Sequence, residues 1–457
     1  MIKSTNAPQP ADLQPALDRF FSLAKQKIER IDAEYDNSKG SPVYTVGGKY
    51  TTKGWTEWTE GFRYGIAILH FDATGDETSL DSGRRRTLSR MATHVSHIGV
   101  HDHGFNNLST YGNLRRLMIE GRIPENEWEK HFYELAIKVS GAVQASRWTT
   151  CQDGGFIHSF NGPHSLFVDT IRTCRILMQA HALGHVLMGE GDRPISLLER
   201  ALLHIRATAK YSVFYGEGRD SYDEWGRTTH EAIFNTKDGA YRCPNSQQGY
   251  SGFSTWTRGQ SWAICGFPEE LEFLETLSDA DLSPFGGRTN IEAILLKAAR
   301  ATADHFIANT PTDGIPYWDT GAPNLYKLGD YQNRPADPYN QFEPVDSSSA
   351  AMNAQGLLRL GRYLGKKGET DDAERYTKAG LKVAQTLFAE PYLSTAAEHQ
   401  GLVLHSIYHE PNGWDHRPDP DKVAYGESSM WGDYHAMELA VYLKRLIEQG
   451  PYLTFFA

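Results

Sequence analysis

Apolar residues recur at helical spacing along almost the whole chain, whereas strand-like alternation is scarce and short. In residues 12–31, DLQPALDRFFSLAKQKIERI, the side chains of Leu13, Leu17, Phe20, Phe21, Ala24, Ile28 and Ile31 fall on one helical face. Similar amphipathic stretches lie near 130–147, 166–188, 196–212, 290–308, 349–364, 372–388 and 429–447. Between them run loops rich in Gly, Pro and aromatic residues, such as FNGPH and NRPADPYNQFEPVDSSS. A chain patterned this way buries its apolar faces helix on helix, which predicts an all-α protein whose loops carry function. Helix–loop–helix units of roughly 60–70 residues suit a ring of paired helices, an (α/α)6 barrel, although periodicity alone leaves other all-α packings open. No Pro/Ser linker or composition break divides the 457 residues. One domain over 1–457 is expected, with 1–11 as a flexible N-terminal tail.

A hydrophobic share of 40% is enough for a sizeable core, and a charged share of 23% argues against long disorder. The net charge of −11 argues against nucleic-acid binding, which needs a basic face. An anionic ligand must then be caught by a few placed cations, not by the overall field. Four cysteines form neither a disulfide framework nor a CxxC pair. The segment MIKSTNAPQPADLQ has no apolar signal-peptide core, and no run is long enough to span a membrane. A cytoplasmic chain fits best; a periplasmic or secreted one whose leader has been removed would look the same. A monomer or small homo-oligomer is expected.

The aromatic share of 12% is concentrated in loops beside polar residues: GWTEWTEGF, FIHSF, STWTRGQSW, IPYWDTG, SSMWGDYH. Any one of these rings can be core packing. Over several loops, together with Gly and polar groups, they suit a sugar, whose C–H faces stack on rings and whose hydroxyls need polar partners. Two carboxylates stand out. Asp102, in HIGVHDHGFNN, sits between two histidines; its plain alternative is an Asx cap or turn. Asp169, in GPHSLFVDTIRTCRIL, sits among Leu166, Phe167, Val168, Ile171 and Ile176 on an apolar helix. Desolvation there would raise its pKa and suit a general acid; its alternative is a helix-start Asp. The histidines show no HExxH or other firm ligand spacing, so no metal or other cofactor is expected, and no GxSxG elbow marks a serine nucleophile.

In chain order WTEGFRYGIAILHFDATGDE, HDHGF, VDTIRTCRILMQA, STWTRGQSW, VDSSSAAMNAQGLLRL, IYHEPNG and SSMWGDYHAMELA resemble the motifs of the unsaturated glucuronyl hydrolases, glycoside hydrolase family 88. The resemblance runs from about Trp55 to about Leu443, and the spacing from Gln248 to Arg258 is its most specific part. It implies an (α/α)6 barrel and a metal-free hydrolase. Its substrates would be lyase-generated oligosaccharides ending in 4-deoxy-hex-4-enuronate. Water adds across the C4=C5 vinyl ether, outside the usual two-carboxylate glycosidase schemes.

Carried onto this chain, the resemblance makes Asp169 the general acid/base and Asp102 its partner, which keeps Asp169 protonated by like-charge coupling. His230 would stand near the reacting centre, Gln248 would bind hydroxyls, and Arg258 would clamp the uronate carboxylate. Trp262, Trp58 and Phe160 would stack on the ring, with Ser428, Ser429 and Trp431 near the leaving sugar. The NNLSTYG segment and an insertion at 214–229 depart from the family pattern and are expected near the mouth. Rival readings are an unsaturated rhamnogalacturonyl hydrolase of family 105, disfavoured by RGQSW, a saturated glucuronidase on the same scaffold, and a non-catalytic sugar-binding protein.

Overall fold

The computed structural model describes residues 1–54 and 57–456. Trp55, the approximate start of the resemblance, lies outside them. Six inner helical segments pack neighbour to neighbour into a closed ring: Glu60–Thr74, the run 103–119, the run 170–182, Thr257–Leu274, Ser347–Lys366 and Met430–Ile447, the last returning to the first. Outside them pack Gln14–Glu34, Glu77–Arg90, Glu127–Ser146, Leu197–Tyr211, Arg288–Asn309 and Thr370–Leu387. This is the expected all-α architecture, an (α/α)6 barrel.

The two rings differ in sequence because they differ in surroundings. Gln14–Glu34 and Thr370–Leu387 bury one stripe and leave the other wet. Glu60–Thr74 is buried from Glu60 to Asp72, and every residue of Thr257–Leu274 is buried. A helix covered on all sides shows no amphipathic period, which is why periodicity misses these two. The 103–119 run is helical throughout, with a π-turn at Leu108–Gly112, so NNLSTYG is barrel wall and not mouth. Inner helices approach closely through glycine: a Cβ on Gly61 would stand 2.3 Å from the Asn106 carbonyl oxygen, and one on Gly104 2.3 Å from that of Thr173.

Charge is also buried in the barrel. Arg172 donates to Glu269 at 2.9 Å and to Glu438 at 2.6 Å, Arg175 donates to Glu269 at 3.2 Å, and Arg359 donates to Glu272 at 2.8 Å. These ion pairs tie four inner segments together.

Two further expectations are corrected. The stretch 166–188 is not one helix: Ser165–Phe167 is a strand, followed by Thr170–Thr173, Arg175–Ala182 and the strand Val186–Gly189. The strand wins because it pairs with Glu231–Phe234. Residues 1–11 are docked, not a loose tail. Ile2 is buried, its N–H donates to Ile307 O, and Lys3 N–H donates to Thr312 O. Among the described residues no helix is long and apolar enough to cross a membrane.

Candidate active site

A three-stranded antiparallel sheet, Ser165–Phe167, Glu231–Phe234 and Tyr241–Asn245, carries distant stretches to one edge. Phe167 pairs with Glu231, and Glu231 with Asn245. Asp169, His230, Gln247 and Gln248 therefore emerge together. Asp102 arrives from the other side, on the residue before the 103–119 run, because Gly104 lets that run lie against Thr173. Asp102 and Asp169 each occupy a helix N-cap position, yet neither side chain makes a capping hydrogen bond. The capping reading of Asp102 fails, Asp169 does start a helix but makes no capping bond, and both carboxylates face a cavity of 730 Å³.

His101 joins them. Its Nε2 lies 3.1 Å from Asp169 Oδ1 and 3.8 Å from Asp102 Oδ1. Burial disfavours charge on the ring, but Asp102 and the hydrogen-bonded Asp169 raise its pKa. Burial also pushes the Asp169 carboxyl up; His101, His230 and Arg258 overcome it and hold Asp169 below the ordinary value. Asp102 goes the other way, raised by burial and by the Asp169 charge. The shifts run opposite to expectation: Asp102 is the carboxyl pushed up and Asp169 the one held down. The reason is that the His101 ring bonds Asp169 and not Asp102.

His230 stands behind Asp169 and is not part of the cavity lining. Its Nδ1 accepts the N–H groups of Gln247 at 3.0 Å and Gln248 at 3.2 Å, which places the proton on Nε2, 4.0 Å from Asp169 Oδ2. Burial pushes its pKa down to about 4, so the ring is neutral.

Arg258 lines the cavity but is engaged from behind. Nη1 donates to Ile407 O, and Nη2 donates to Tyr408 O at 2.6 Å and to Gln248 Oε1 at 2.8 Å. Its guanidinium lies 4.6 Å from the ring centres of both Trp256 and Trp431. The expected carboxylate clamp is therefore first a bracket: it fixes the 407–408 backbone, and it occupies Gln248 Oε1 so that the Gln248 amide nitrogen is left for a ligand. Burial costs a cation its hydration, and carbonyls, indoles and Asp346 compensate.

The aromatic expectations divide. Trp58 and Phe160 line the cavity; Phe160 lies parallel to His101 with centres 6.1 Å apart. Trp262 lines it as buried wall, packed on Phe105 at 4.5 Å. Ser428, Ser429 and Trp431 are buried and do not line it. Ser429 caps Met430–Ile447 by accepting Gly432 N–H, Ser428 N–H donates to Thr45 Oγ1, and Trp431 Nε1 donates to Ser348. The 214–229 segment does not line it either; it folds back on Arg288–Asn309, with Trp225 Nε1 donating to Asp304 at 3.1 Å. Sequence reasoning missed His101, Trp256, Tyr408, His409, Asn412 and Trp414 as wall residues. The IYHEPNG motif held the signal for three of these without indicating a role. Among the described residues no group of three or more His, Cys, Asp or Glu is arranged to hold a metal ion.

No family model matches the chain. It is similar to the unsaturated glucuronyl hydrolase of Bacillus sp. (strain GL1), 26% identical over 436 residues, 94% of this chain and 97% of that protein. It is also similar to the unsaturated chondroitin disaccharide hydrolase of Streptococcus agalactiae serotype III, 23% identical over 438 residues, 94% and 91% of the two chains. Of solved structures, the Bacillus sp. GL1 hydrolase superposes with a TM-score of 0.69 at 22% identity, covering 95% and 97%. An unsaturated glucuronyl hydrolase described as specific for heparin gives 0.71 at 18%, covering 95% and 98%. Over almost its whole length the chain is thus similar to the unsaturated glucuronyl hydrolases.

Proposed function

We infer that this protein, acting as one catalytic domain, removes 4-deoxy-hex-4-enuronic acid from the non-reducing end of lyase-generated oligosaccharides. A proton is added at C4 and water oxygen at C5. The resulting C5 hemiketal opens to a ketone, and C1 then releases the neighbouring sugar as an alcohol. The observation that supports this most is the carboxylate pair Asp102 and Asp169, buried in the cavity wall with His101 bonded to Asp169 and 3.8 Å from Asp102.

Two acids with their pKa values pushed apart divide the work of acid and base. Asp102, whose pKa is pushed up, supplies the proton to C4. Asp169, whose pKa is held down, takes a proton from the water that attacks C5. His101 orients and charges the pair, and His230 holds Asp169 from behind. Trp58 and Phe160 offer faces for the sugar ring, and the Gln248 amide nitrogen a donor. The relatives named for chondroitin disaccharides and the structure described as heparin-specific make glycosaminoglycan disaccharides the first substrates to try.

The test is loss of the ultraviolet absorbance of the conjugated enoate, with disaccharides generated by lyases from hyaluronan, chondroitin and heparin. Loss with wild type, absent in Asp169→Asn, with heavy-oxygen water incorporated at C5 and not at C1, is the expected result. Label at C1 instead would mean direct displacement at the anomeric carbon and would overturn the reading.

A further inference from the structure

The turn Glu410–Asn412 has two faces. His409 and Asn412 line the reaction cavity, while Glu410 and Pro411 line a separate cleft of 520 Å³. The 247–250 loop is shared in the same way: Gln247 and Gln248 face the cavity, and Tyr250 faces the cleft. Asn412 is exposed and follows Pro411 in the chain, so this one turn stands between the two spaces.

The cleft is built and not merely a gap. Glu343 is buried on its floor and accepts Trp318 Nε1–H and Asn324 N–H, each at 2.7 Å. Asp319 accepts Tyr250 N–H at 2.8 Å. Asn340 Oδ1 accepts the N–H groups of Phe342 at 2.7 Å and Glu343 at 2.9 Å, which fixes the loop that presents Phe342. On this rigid frame two aromatic side chains stand open to solvent, Tyr250 at 52% and Phe342 at 37% exposure. Polar groups converge beside them. Glu410 Oε1 accepts from Arg417 at 2.6 Å, while its Oε2 is buried with no hydrogen-bond partner among the described residues.

Open rings on a fixed backbone with convergent polar groups are the chemistry of saccharide binding. We propose that this cleft binds the pyranose rings that follow the leaving sugar in a longer oligosaccharide. The proposal rests on the reading that the terminal unsaturated ring occupies the reaction cavity. That ring reaches the buried carboxylates, its chain leads out past Asn412, and the Glu410–Asn412 turn delivers the next rings to Tyr250, Phe342 and Glu410. The protein is thus fitted to oligosaccharides longer than the disaccharide.

The experiment compares kcat/KM for an unsaturated disaccharide and an unsaturated tetrasaccharide of the same polymer. Wild type is expected to prefer the tetrasaccharide by about tenfold, the scale of one or two ring-stacking contacts. Phe342→Ala and Tyr250→Ala should each remove about threefold or more of that preference and leave disaccharide turnover unchanged. Equal rates for both lengths in wild type, or variants that lower both substrates alike, overturn the proposal. If wild type turns over neither substrate, the fault lies with the reaction assigned. Calorimetric binding of the same tetrasaccharide then decides the cleft: weaker binding by Phe342→Ala upholds it, and unchanged binding overturns it.

Discussion

Replacing Arg258 by Lys keeps the charge and removes the planar fork. Arg258 serves three acceptors, the carbonyls of Ile407 and Tyr408 and Gln248 Oε1, while filling the gap between Trp256 and Trp431. An ammonium on a flexible stem cannot reach all three and cannot stack flat on two indoles. At least one acceptor is then left buried and unpaired, which costs about 1–3 kcal/mol. Weakened contact with two rings adds about 1 kcal/mol. The expected loss is about 2–4 kcal/mol, a fall of the urea midpoint on the order of 0.5–1 M for a chain of this size. The 407–415 wall and Gln248 should loosen with it, lowering kcat as well as raising KM. The assay pairs urea unfolding followed by tryptophan fluorescence with disaccharide kinetics. An unchanged midpoint with a raised KM and an intact kcat would refute the bracket and return Arg258 to the part of a simple carboxylate clamp.

Other outcomes follow from the same geometry. Asp169→Asn and Asp102→Asn should each lower kcat by roughly 10²–10⁴, the span of general acid–base catalysis, while the disaccharide still binds by calorimetry. With Asp169 lowered and Asp102 raised, kcat/KM should be bell-shaped in pH, failing below when Asp169 gains a proton and above when Asp102 loses its own. His101 lowers both carboxyls, so His101→Gln should carry both limbs of that bell to higher pH; a bell that stays in place counts against His101. Arg172→Leu strips Glu269 and Glu438 of a buried partner and should destabilise the barrel by about 3–5 kcal/mol in urea titration, with little change in KM.

Periodicity finds five of the six outer helices because each has one wet side, as in the stripe from Leu13 to Ile31, and misses Glu77–Arg90, which is polar almost all round. It is silent on Glu60–Thr74 and Thr257–Leu274, where barrel packing buries Glu60, Arg258 and Glu269 along with the apolar residues. The carboxylates were legible for a similar reason, turned around: Asp102 and Asp169 lie in local sequence that offers them no partner of opposite charge other than histidine and arginine. Their protonation order was not legible. It depends on His101 meeting Asp169 across 68 residues, on His230 arriving by sheet pairing, and on burial that no local pattern reports. The bracket role of Arg258 was hidden likewise, since its carbonyl acceptors lie 149 and 150 residues downstream.

HDHGF joins these two levels. As a motif it marks Asp102, but the glycine in it acts through the fold. Gly104 has no side chain because the Thr173 backbone occupies that place, 2.3 Å from where a Cβ would be. That contact sets the 103–119 run against the 170–182 run, and the residues just ahead of each are Asp102 and Asp169. One close helix approach therefore fixes both the barrel wall and the spacing of the two carboxylates. A substitution at Gly104 should be felt in catalysis before it is felt as unfolding, because the carboxylate pair tolerates less displacement than the core around it.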